Sequence, residues 1–213
     1  MCIRDRYYSS ERNVQILLAL LKRNGIKKVI VSPGGTNICF VGSIQNDPFF
    51  EIYSSVDERS AAYMACGLAA ESGEPVVLSC TMSTASRNYY PGMTEAYYRK
   101  LPVLAITSHI GSNHIGNLRS QVIDRRIIPN DVAQMSVELP IPKDESEDFF
   151  VEMEVNRAIL ALKNFGSGPV HINLITTCNQ DFTIKELPLV QTIRRYQAWD
   201  QFCLLYTSPS PRD

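Results

Sequence analysis

A glutamate at the predicted start of a helix is the first residue whose position suggests chemistry. Glu58 follows a strand-like run at residues 50–54 and comes directly after Asp57, a residue type that often caps helices. Small and apolar residues then recur at helical spacing. We therefore predict that Glu58 lies in the first turn of a tightly packed helix, at the carboxyl end of a strand, where open α/β sheets bind ligands. An ordinary solvated carboxylate, favoured by the helix dipole, fits the same pattern.

Two turns rich in small polar residues flank this helix in the sequence. Residues 32–36 (Ser-Pro-Gly-Gly-Thr) follow a strand-like run and precede a helix, whose N-terminus would favour an anion. Residues 81–84 (Thr-Met-Ser-Thr) have the same placement, and Ser and Thr at such positions are typical helix caps. Neither turn is a Walker loop or a G-x-G-x-x-G fingerprint. Two interpretations therefore remain: both turns are purely structural, or they form a ligand crevice with the Glu58 helix at three strand ends.

The three histidines show no metal-ligand spacing, so no metal site is predicted. His171 lies in an apolar strand and is predicted to be a hydrogen-bonded structural residue. His109 and His114 fall in a predicted long loop, residues 108–130, from which they could reach a substrate. The sequence has no nucleophile elbow and favours no Cys–His pair.

The elements that must position these residues follow from the alternation along the chain. Apolar runs typical of strands alternate with segments of helical periodicity, which indicates an α/β domain of three layers with a mostly parallel sheet. Residues 121–126 suggest a short helix, and residues 138–142 are predicted to be extended. The predicted strands are 28–31, 50–54, 76–80, 103–107 and 169–174, and the predicted helices lie within 9–25, at 38–45, from 57 onward, from 84 to 100 and at 147–164.

Composition narrows the function classes. The 213 residues carry a net charge of −1, so no basic surface indicates nucleic acid. No apolar run is long enough to span a membrane. Of the six cysteines, the four between residues 7 and 202 form no Cys-x-x-Cys pair and lie in apolar runs, which predicts buried free thiols in a reducing compartment, the cytoplasm. They are Cys39, Cys66, Cys80 and Cys178.

Both ends of the chain look foreign to the domain. A single short DNA element, read inward from either end, can encode residues 1–5 and 203–207, and it resembles the adapter of transposase-based sequencing libraries. We therefore predict that residues 1–6 and 203–213 are adapter-like scars, that is, segments translated from the adapter and not from the gene. Residues 7–186 are predicted to form one domain, and 187–202 to begin a linker towards a further domain.

Taken in order, five motifs resemble the N-terminal, pyrimidine-binding domain of thiamine-diphosphate-dependent enzymes. The resemblance covers about residues 10–176, and it is greatest to the menaquinone-pathway succinyl-enolpyruvyl-hydroxycyclohexene-carboxylate synthases. The motifs are VSPGG (31–35), DERSAA (57–62), CTMSTA (80–85), YPGMTEA (90–96) and GPVHIN (168–173).

The resemblance implies a role for Glu58. The matching glutamate bonds a ring nitrogen of the cofactor's aminopyrimidine and favours the imino tautomer, which deprotonates the thiazolium carbon to the ylide used in 2-oxo acid decarboxylation and carboligation. Whether desolvation raises the pKa of Glu58 or the helix N-terminus lowers it stays open. Implied cofactor contacts are Pro33, Gly34, Glu58, Thr81, Ser83, Thr84 and Asn88, and implied substrate contacts are Gly35, Thr36, His109 and Gln121.

Two departures from the synthases bear on the substrate. This chain has Gly35-Thr36 where they have Ser-Arg, and His109-Ile110 where they have Asp-Arg. In the synthases those arginines help to bind the anionic acceptor. We therefore predict a lyase or transferase that acts on another 2-oxo acid and acceptor.

The resemblance also implies partners. The Gly-Asp-Gly…Asn motif that holds Mg²⁺ and the cofactor's diphosphate belongs to another domain of such enzymes and does not occur in this chain. We expect thiamine diphosphate to lie between this domain and a diphosphate domain, in a homodimer, and we expect this segment alone to be inactive. Two alternatives remain: a separate pyrimidine-domain subunit of a split 2-oxo acid decarboxylase, and a non-catalytic Rossmann-like binding domain.

Overall fold

The computed structural model describes residues 7–125, 127–163 and 167–193. The predicted scars at 1–6 and 203–213 lie outside the described residues, as does the predicted linker beyond residue 193, so those predictions stay untested. No helix among the described residues is long and apolar enough to cross a membrane.

Six parallel strands form one sheet in the order β2-β1-β3-β4-β6-β5. The four central strands are buried along most of their length, because helices cover both faces of the sheet. The predicted α/β class with a parallel sheet is confirmed. The strands are β1 (Lys28–Val31), β2 (Glu51–Ser54), β3 (Val76–Cys80), β4 (Val103–His109), β5 (Met135–Leu139) and β6 (Val170–Ile175).

The helices form two layers with separate apolar cores. On one face lie α1 (Arg12–Arg23), α2 (Ile38–Gln45) and α6 (Glu145–Ala161). On the other face lie α3 (Glu58–Ser72), α4 (Thr84–Asn88) and α5 (Tyr90–Arg99). The sheet therefore forms the middle layer of the predicted three.

The strand order creates a topological switch point at the middle of the sheet. From β1 the chain crosses over α2 to β2 on one side, and it then returns over α3 to β3 on the other side of β1. The connections after the neighbouring strands β1 and β3 thus diverge to opposite faces. Open α/β sheets bind their ligands in the crevice that opens at such a switch point.

Small residues fix the position of α3 against α5. A Cβ atom added to Gly92 would lie 2.4 Å from Cβ of Ala62, and Sγ of Cys66 donates to the carbonyl of Gly92 over 3.2 Å. The small residues of α3 therefore permit a close helix–helix approach in addition to packing on the sheet. This contact sets where the first turn of α3, with Glu58, stands relative to α5.

Several predicted elements differ from the structure. Residues 121–125 form no helix, and Gln121 adopts a left-handed φ of 61°. The predicted extended segment lies earlier, as β5, because Pro140 cannot donate a ladder hydrogen bond. The helix predicted from 84 to 100 is divided into α4 and α5 at Tyr89, and the long loop begins later because β4 continues through His109.

Candidate active site

The loop after β1 and the turn after β3 approach each other closely at Gly34. A Cβ atom on Gly34 would lie 2.3 Å from Cγ2 of Thr81. The backbone of Gly34 is extended, with φ −174°, so any residue could adopt its conformation. The absence of a side chain is therefore needed for the close approach, which brings two predicted cofactor contacts together.

Asn37, which the sequence analysis did not single out, organises the loop after β1. Its side-chain amide donates to the carbonyl of Ser32 over 3.1 Å and to Oγ of Ser79 over 3.2 Å. Its oxygen accepts from the backbone N–H of Gly34 over 2.9 Å. The buried asparagine thus ties the loop to the end of β3. An Asn two residues after a Gly-Gly pair is a turn signal that could have revealed it.

The turn after β3 holds a strained residue. Ser83 has φ 61° and ψ −130°, a conformation that costs a non-glycine residue about 1–3 kcal/mol. Its side chain makes no cap, and its carbonyl instead accepts from Oγ of Ser86 over 2.7 Å. The prediction that Ser83 caps a helix was therefore wrong. Such strain is typical of ligand-binding turns, and it favours the alternative of a crevice.

Glu58 lies where the sequence places it, in the first turn of α3. Asp57 is the N-cap and accepts from the backbone N–H of Ser60 over 2.8 Å. The half-buried Glu58 accepts a hydrogen bond from Nδ2 of Asn88 over 3.3 Å. Asn88 is a predicted cofactor contact at the end of α4, so the structure brings these two candidate residues together.

The charge of Glu58 acts on the interior behind the turn after β3. Burial raises the pKa of the Tyr89 phenol well above its ordinary value, and the nearby thiol of Cys80 and carboxylate of Glu58 contribute to the same direction. Burial also raises the pKa of Cys80 to about 12, and Glu58 adds to this effect. The carboxylate therefore lies within electrostatic reach of the carboxyl end of β3.

Two hydroxyl groups at the end of β1 are buried without a hydrogen-bond partner among the described residues. They are Oγ1 of Thr36 and Oγ of Ser32, although Ser32 lies close enough to the Tyr89 phenol to act on its pKa. Buried polar atoms normally find partners. The carbonyl of Thr36 accepts from Oγ1 of Thr176, whose backbone N–H donates to the carbonyl of His109. Thr36 therefore links the loop after β1 to the ends of β4 and β6.

His109 is a buried, neutral residue at the end of β4, and the prediction that it lies on a loop was wrong. Its backbone pairs with Ile175 of β6, which extends the strand. Burial lowers its pKa, and the positive charge of Arg125 lowers it further. Nδ1 accepts from the backbone N–H of Gly111 over 2.9 Å, so the proton lies on Nε2. Nε2 has no hydrogen-bond partner of good geometry among the described residues. A contact with the backbone of Ile123 acts in the direction of a higher His109 pKa and is outweighed by burial.

The other predicted contacts are more dispersed. Pro33, Gly35 and Thr84 are exposed at the mouth of the two turns. Gln121 is also exposed, and among the described residues its amide forms no hydrogen bond with any other candidate. The structure therefore gathers the cofactor candidates around the β1 and β3 ends, but it does not bring Gln121 to them.

The remaining histidines differ in their surroundings. His171 is buried between Oγ1 of Thr107 and Oγ of Ser136, each 2.7 Å from a ring nitrogen. Burial lowers its pKa to about 3, so it is neutral. The predicted structural role of His171 agrees with these bonds. His114, in the loop after β4, is half-buried beside the guanidinium of Arg119.

The four cysteines in the described part of the chain are free, and three of them are buried as predicted. Cys39, Cys66 and Cys80 are buried, whereas Cys178 is half-buried. Burial raises the pKa of Cys39 to about 12 and that of Cys66 to about 11, so neither is a ready nucleophile. In the described part of the chain, no group of three or more His, Cys, Asp or Glu residues could hold a metal ion.

Comparison with known proteins identifies the family of this site. The model of the family described as "Thiamine pyrophosphate enzyme, N-terminal TPP binding domain" matches residues 12–136, from α1 into β5. The chain belongs to the thiamine pyrophosphate enzymes. The match includes both turns, Glu58 and the switch point. Thiamine pyrophosphate is another name for thiamine diphosphate.

Three curated relatives of this thiamine pyrophosphate enzyme domain carry the same name. The 2-succinyl-5-enolpyruvyl-6-hydroxy-3-cyclohexene-1-carboxylate synthase of Bacteroides thetaiotaomicron is 37% identical over 191 residues, which cover 89% of this chain and 34% of the relative. The synthase of Porphyromonas gingivalis is 34% identical over 171 residues, covering 80% and 30%. That of Lysinibacillus sphaericus is 32% identical over 159 residues, covering 74% and 28%. The chain thus spans about a third of the length of these relatives.

Proposed function

We propose that this chain is the pyrimidine-binding domain of a thiamine-diphosphate-dependent decarboxylase or carboligase that acts on a 2-oxo acid. The observation that carries the proposal is Glu58, held by Asn88 at the first turn of α3 beside the switch-point crevice. The proposal rests on the placement of a carboxylate, which can share a proton with a weakly basic ring nitrogen, next to a cradle of exposed backbone and buried hydroxyls.

The residues of the crevice suit the aminopyrimidine end of the cofactor. Gly34 presents exposed backbone without a side chain, and Thr36 holds a buried hydroxyl without a partner among the described residues. In our proposal Asn88 orients the Glu58 carboxylate, and that carboxylate holds a proton at the ring nitrogen. When bound, the cofactor supplies the electron sink for decarboxylation.

The substrate side of the proposed site is less charged than in the synthases. Gly35 and Thr36 bring no charge, and His109 is neutral with its proton on Nε2. A neutral donor binds a carbonyl or hydroxyl oxygen, whereas an arginine fork binds a carboxylate in two places. We propose an acceptor other than the anionic acceptor of the synthases, with Gln121 reaching it only if the loop after β4 rearranges.

The partner that we propose is a diphosphate-binding domain, in a homodimer or as a complementary subunit, which would hold Mg²⁺ and the diphosphate. Exposed apolar side chains on β2, on the turn that follows and on the first half of α3 support a docking face beside Glu58. They are Ile52, Tyr53, Val56, Tyr63 and Met64. In this proposal the chain alone binds the cofactor poorly and is inactive.

Calorimetry tests the proposal. A protein in which this chain is joined to, or mixed with, a diphosphate-binding domain of its own genome should bind thiamine diphosphate when Mg²⁺ is present, whereas the chain alone should bind far more weakly. If the complete protein binds no cofactor, the proposal fails and a non-catalytic Rossmann-like binding domain becomes the better account.

A further inference from the structure

A buried arginine lies two strand ends away from the Glu58 crevice and has unused donors. Arg125 is 2% exposed, and its Nη2 donates to the carbonyl of Ser108 over 2.8 Å and to Oδ1 of Asn173 over 2.7 Å. Its Nε and Nη1 are buried and have no hydrogen-bond partner among the described residues. Because a guanidinium has five N–H groups, more than half of its donors are unused.

The charge of Arg125 is also without a direct counterion in the described part of the chain. No carboxylate oxygen among those residues lies within 4.0 Å of it, and Glu138 is reached only through Asn173, whose Nδ2 donates to Glu138 over 2.7 Å. Burial lowers the pKa of Arg125 to about 10, which still leaves it protonated at neutral pH. A buried, unpaired cation is costly unless an anion joins it.

A cavity lies next to this guanidinium. It has a volume of about 280 Å³, close to the lower end of small-molecule sites. Besides Arg125, its lining comprises Ser136, Val137, Glu138 and Asn173, in the middle of β5 and the carboxyl-terminal half of β6. Glu138 and Asn173, which pair across the two strands, place one end of the cavity near the sheet edge that carries Glu58.

We propose that this cavity binds a carboxylate of the substrate through the guanidinium of Arg125. A carboxylate matches the planar fork of a guanidinium and can accept two parallel hydrogen bonds. The charge balance favours a monoanion, because the site offers a single cation and the nearby Glu138 would repel a dianion such as phosphate. Arg125 thus supplies a positive charge that Gly35-Thr36 and His109-Ile110 do not.

Hydrogen bonds connect this subsite to the proposed catalytic carboxylate. Nη2 of Arg87 donates to the carbonyl of Asp124 over 2.8 Å, so α4 holds the segment that carries Arg125. The next residue of α4, Asn88, donates to Glu58. The thiol of Cys80 is influenced by the charges of both Arg125 and Glu58. A ligand anchored at Arg125 is therefore at the neighbouring strand ends, on the side where a substrate would approach.

The identification of the carboxylate as substrate rests on the proposed function, but its binding to Arg125 does not. The test therefore uses the chain without cofactor, with pyruvate as the probe. Pyruvate should shift the Nε–H resonance of Arg125 saturably in ¹⁵N-resolved NMR, and it should raise the melting temperature. Inorganic phosphate should bind more weakly than pyruvate.

Variants separate a built site from general anion binding. Arg125→Met should weaken pyruvate binding at least about tenfold, the minimum for a lost charge-assisted pair. Arg125→Lys should give a smaller loss, because it keeps the charge but not the fork. The control Arg119→Met removes an exposed arginine of the same loop and should bind pyruvate like the parent chain.

Four results would overturn the subsite: no saturable binding of pyruvate, equal binding by Arg125→Met, an equal loss in Arg119→Met, or phosphate binding as tight as pyruvate binding. If Arg125→Met does not fold, the NMR shift and the Arg125→Lys variant decide. Pyruvate binding by the chain without cofactor does not depend on proton exchange at the cofactor, so failure of the catalytic role of Glu58 is distinguishable from failure of the Arg125 subsite.

Discussion

The close approach of the two turns at Gly34 predicts a steric clash that adding one methyl group creates and removing another methyl group relieves. In Gly34→Ala the new Cβ would lie 2.3 Å from Cγ2 of Thr81, far inside van der Waals contact. The extended φ of −174° is open to alanine, so no backbone strain is added. The neighbouring Gly35→Ala is the matched control, because a Cβ there meets nothing within 4 Å.

The size of the effect follows from overpacking. Forcing one methyl group into a packed contact costs about 1–3 kcal/mol, whereas Gly→Ala at an unhindered position stabilises by about 0.4–1 kcal/mol. Since 1 kcal/mol shifts the melting temperature of a domain of this size by about 2–4 °C, Gly34→Ala should melt roughly 2–12 °C lower. Gly35→Ala should melt at the same temperature or slightly higher.

Thr81→Ser provides the rescue. It removes the Cγ2 atom that Gly34→Ala would meet, and the next nearest atoms, Cβ and Oγ1 of Thr81, lie at 3.6 and 3.8 Å. In urea unfolding, the double variant should therefore recover most of the loss, giving a coupling energy of about 1 kcal/mol or more in a double-mutant cycle. The reasoning is refuted if Gly34→Ala behaves like Gly35→Ala, or if Thr81→Ser restores nothing.

Three further predictions concern the frame of the site. Asn37→Ala should lower the free energy of unfolding by about 2–3 kcal/mol in urea melts, because a buried amide loses three hydrogen bonds, whereas exposed Asn46→Ala should change it by less than about 0.5 kcal/mol. Gly92→Ala should destabilise by about 2–3 kcal/mol through its 2.4 Å contact with α3, whereas Gly67→Ala, in open space, should stabilise by about 1 kcal/mol; equal effects would contradict the packing of α3 on α5. The pKa of His171 is lowered to about 3 in the folded chain, below that of the unfolded chain near 6.5, so its stabilising contribution is complete above pH 6.5 and is lost as the pH falls towards 3, by at most about 1.4 kcal/mol per pH unit. Imidazole NMR shifts of His171 that titrate between pH 8 and 5 would contradict this.

The sequence predicted well whatever depends on local pattern. Helix α2 has the predicted bounds, Ile38–Gln45, and Asp57 caps α3 as expected. Apolar runs predicted five of the six strands, because doubly covered strands need apolar residues on both faces. The position of Glu58 in the fold could therefore be predicted, although its catalytic role stays a prediction.

Long-range contacts decided the rest. His109 belongs to β4 because β6, more than 60 residues later, pairs with it, and no local pattern contains that partner. Ser83 makes no side-chain cap and has a backbone φ of 61°, a conformation that a non-glycine residue rarely adopts and that the local pattern does not predict. The sequence did not predict that Arg125 is buried, because it is a charged residue in a predicted loop. Its burial depends on Ser108 and Asn173, which meet near the ends of neighbouring strands.

The most direct test of the central account is proton exchange at the thiazolium carbon of bound thiamine diphosphate. We would measure it by deuterium incorporation in a protein that combines this chain with its diphosphate-binding partner domain. Glu58→Gln should slow exchange at least about 100-fold while still binding the cofactor, as expected for loss of a positioned acid–base group. Glu71→Gln, an exposed change on the same helix, should exchange like the parent protein. Exchange at the parent rate in Glu58→Gln would contradict the role proposed for Glu58.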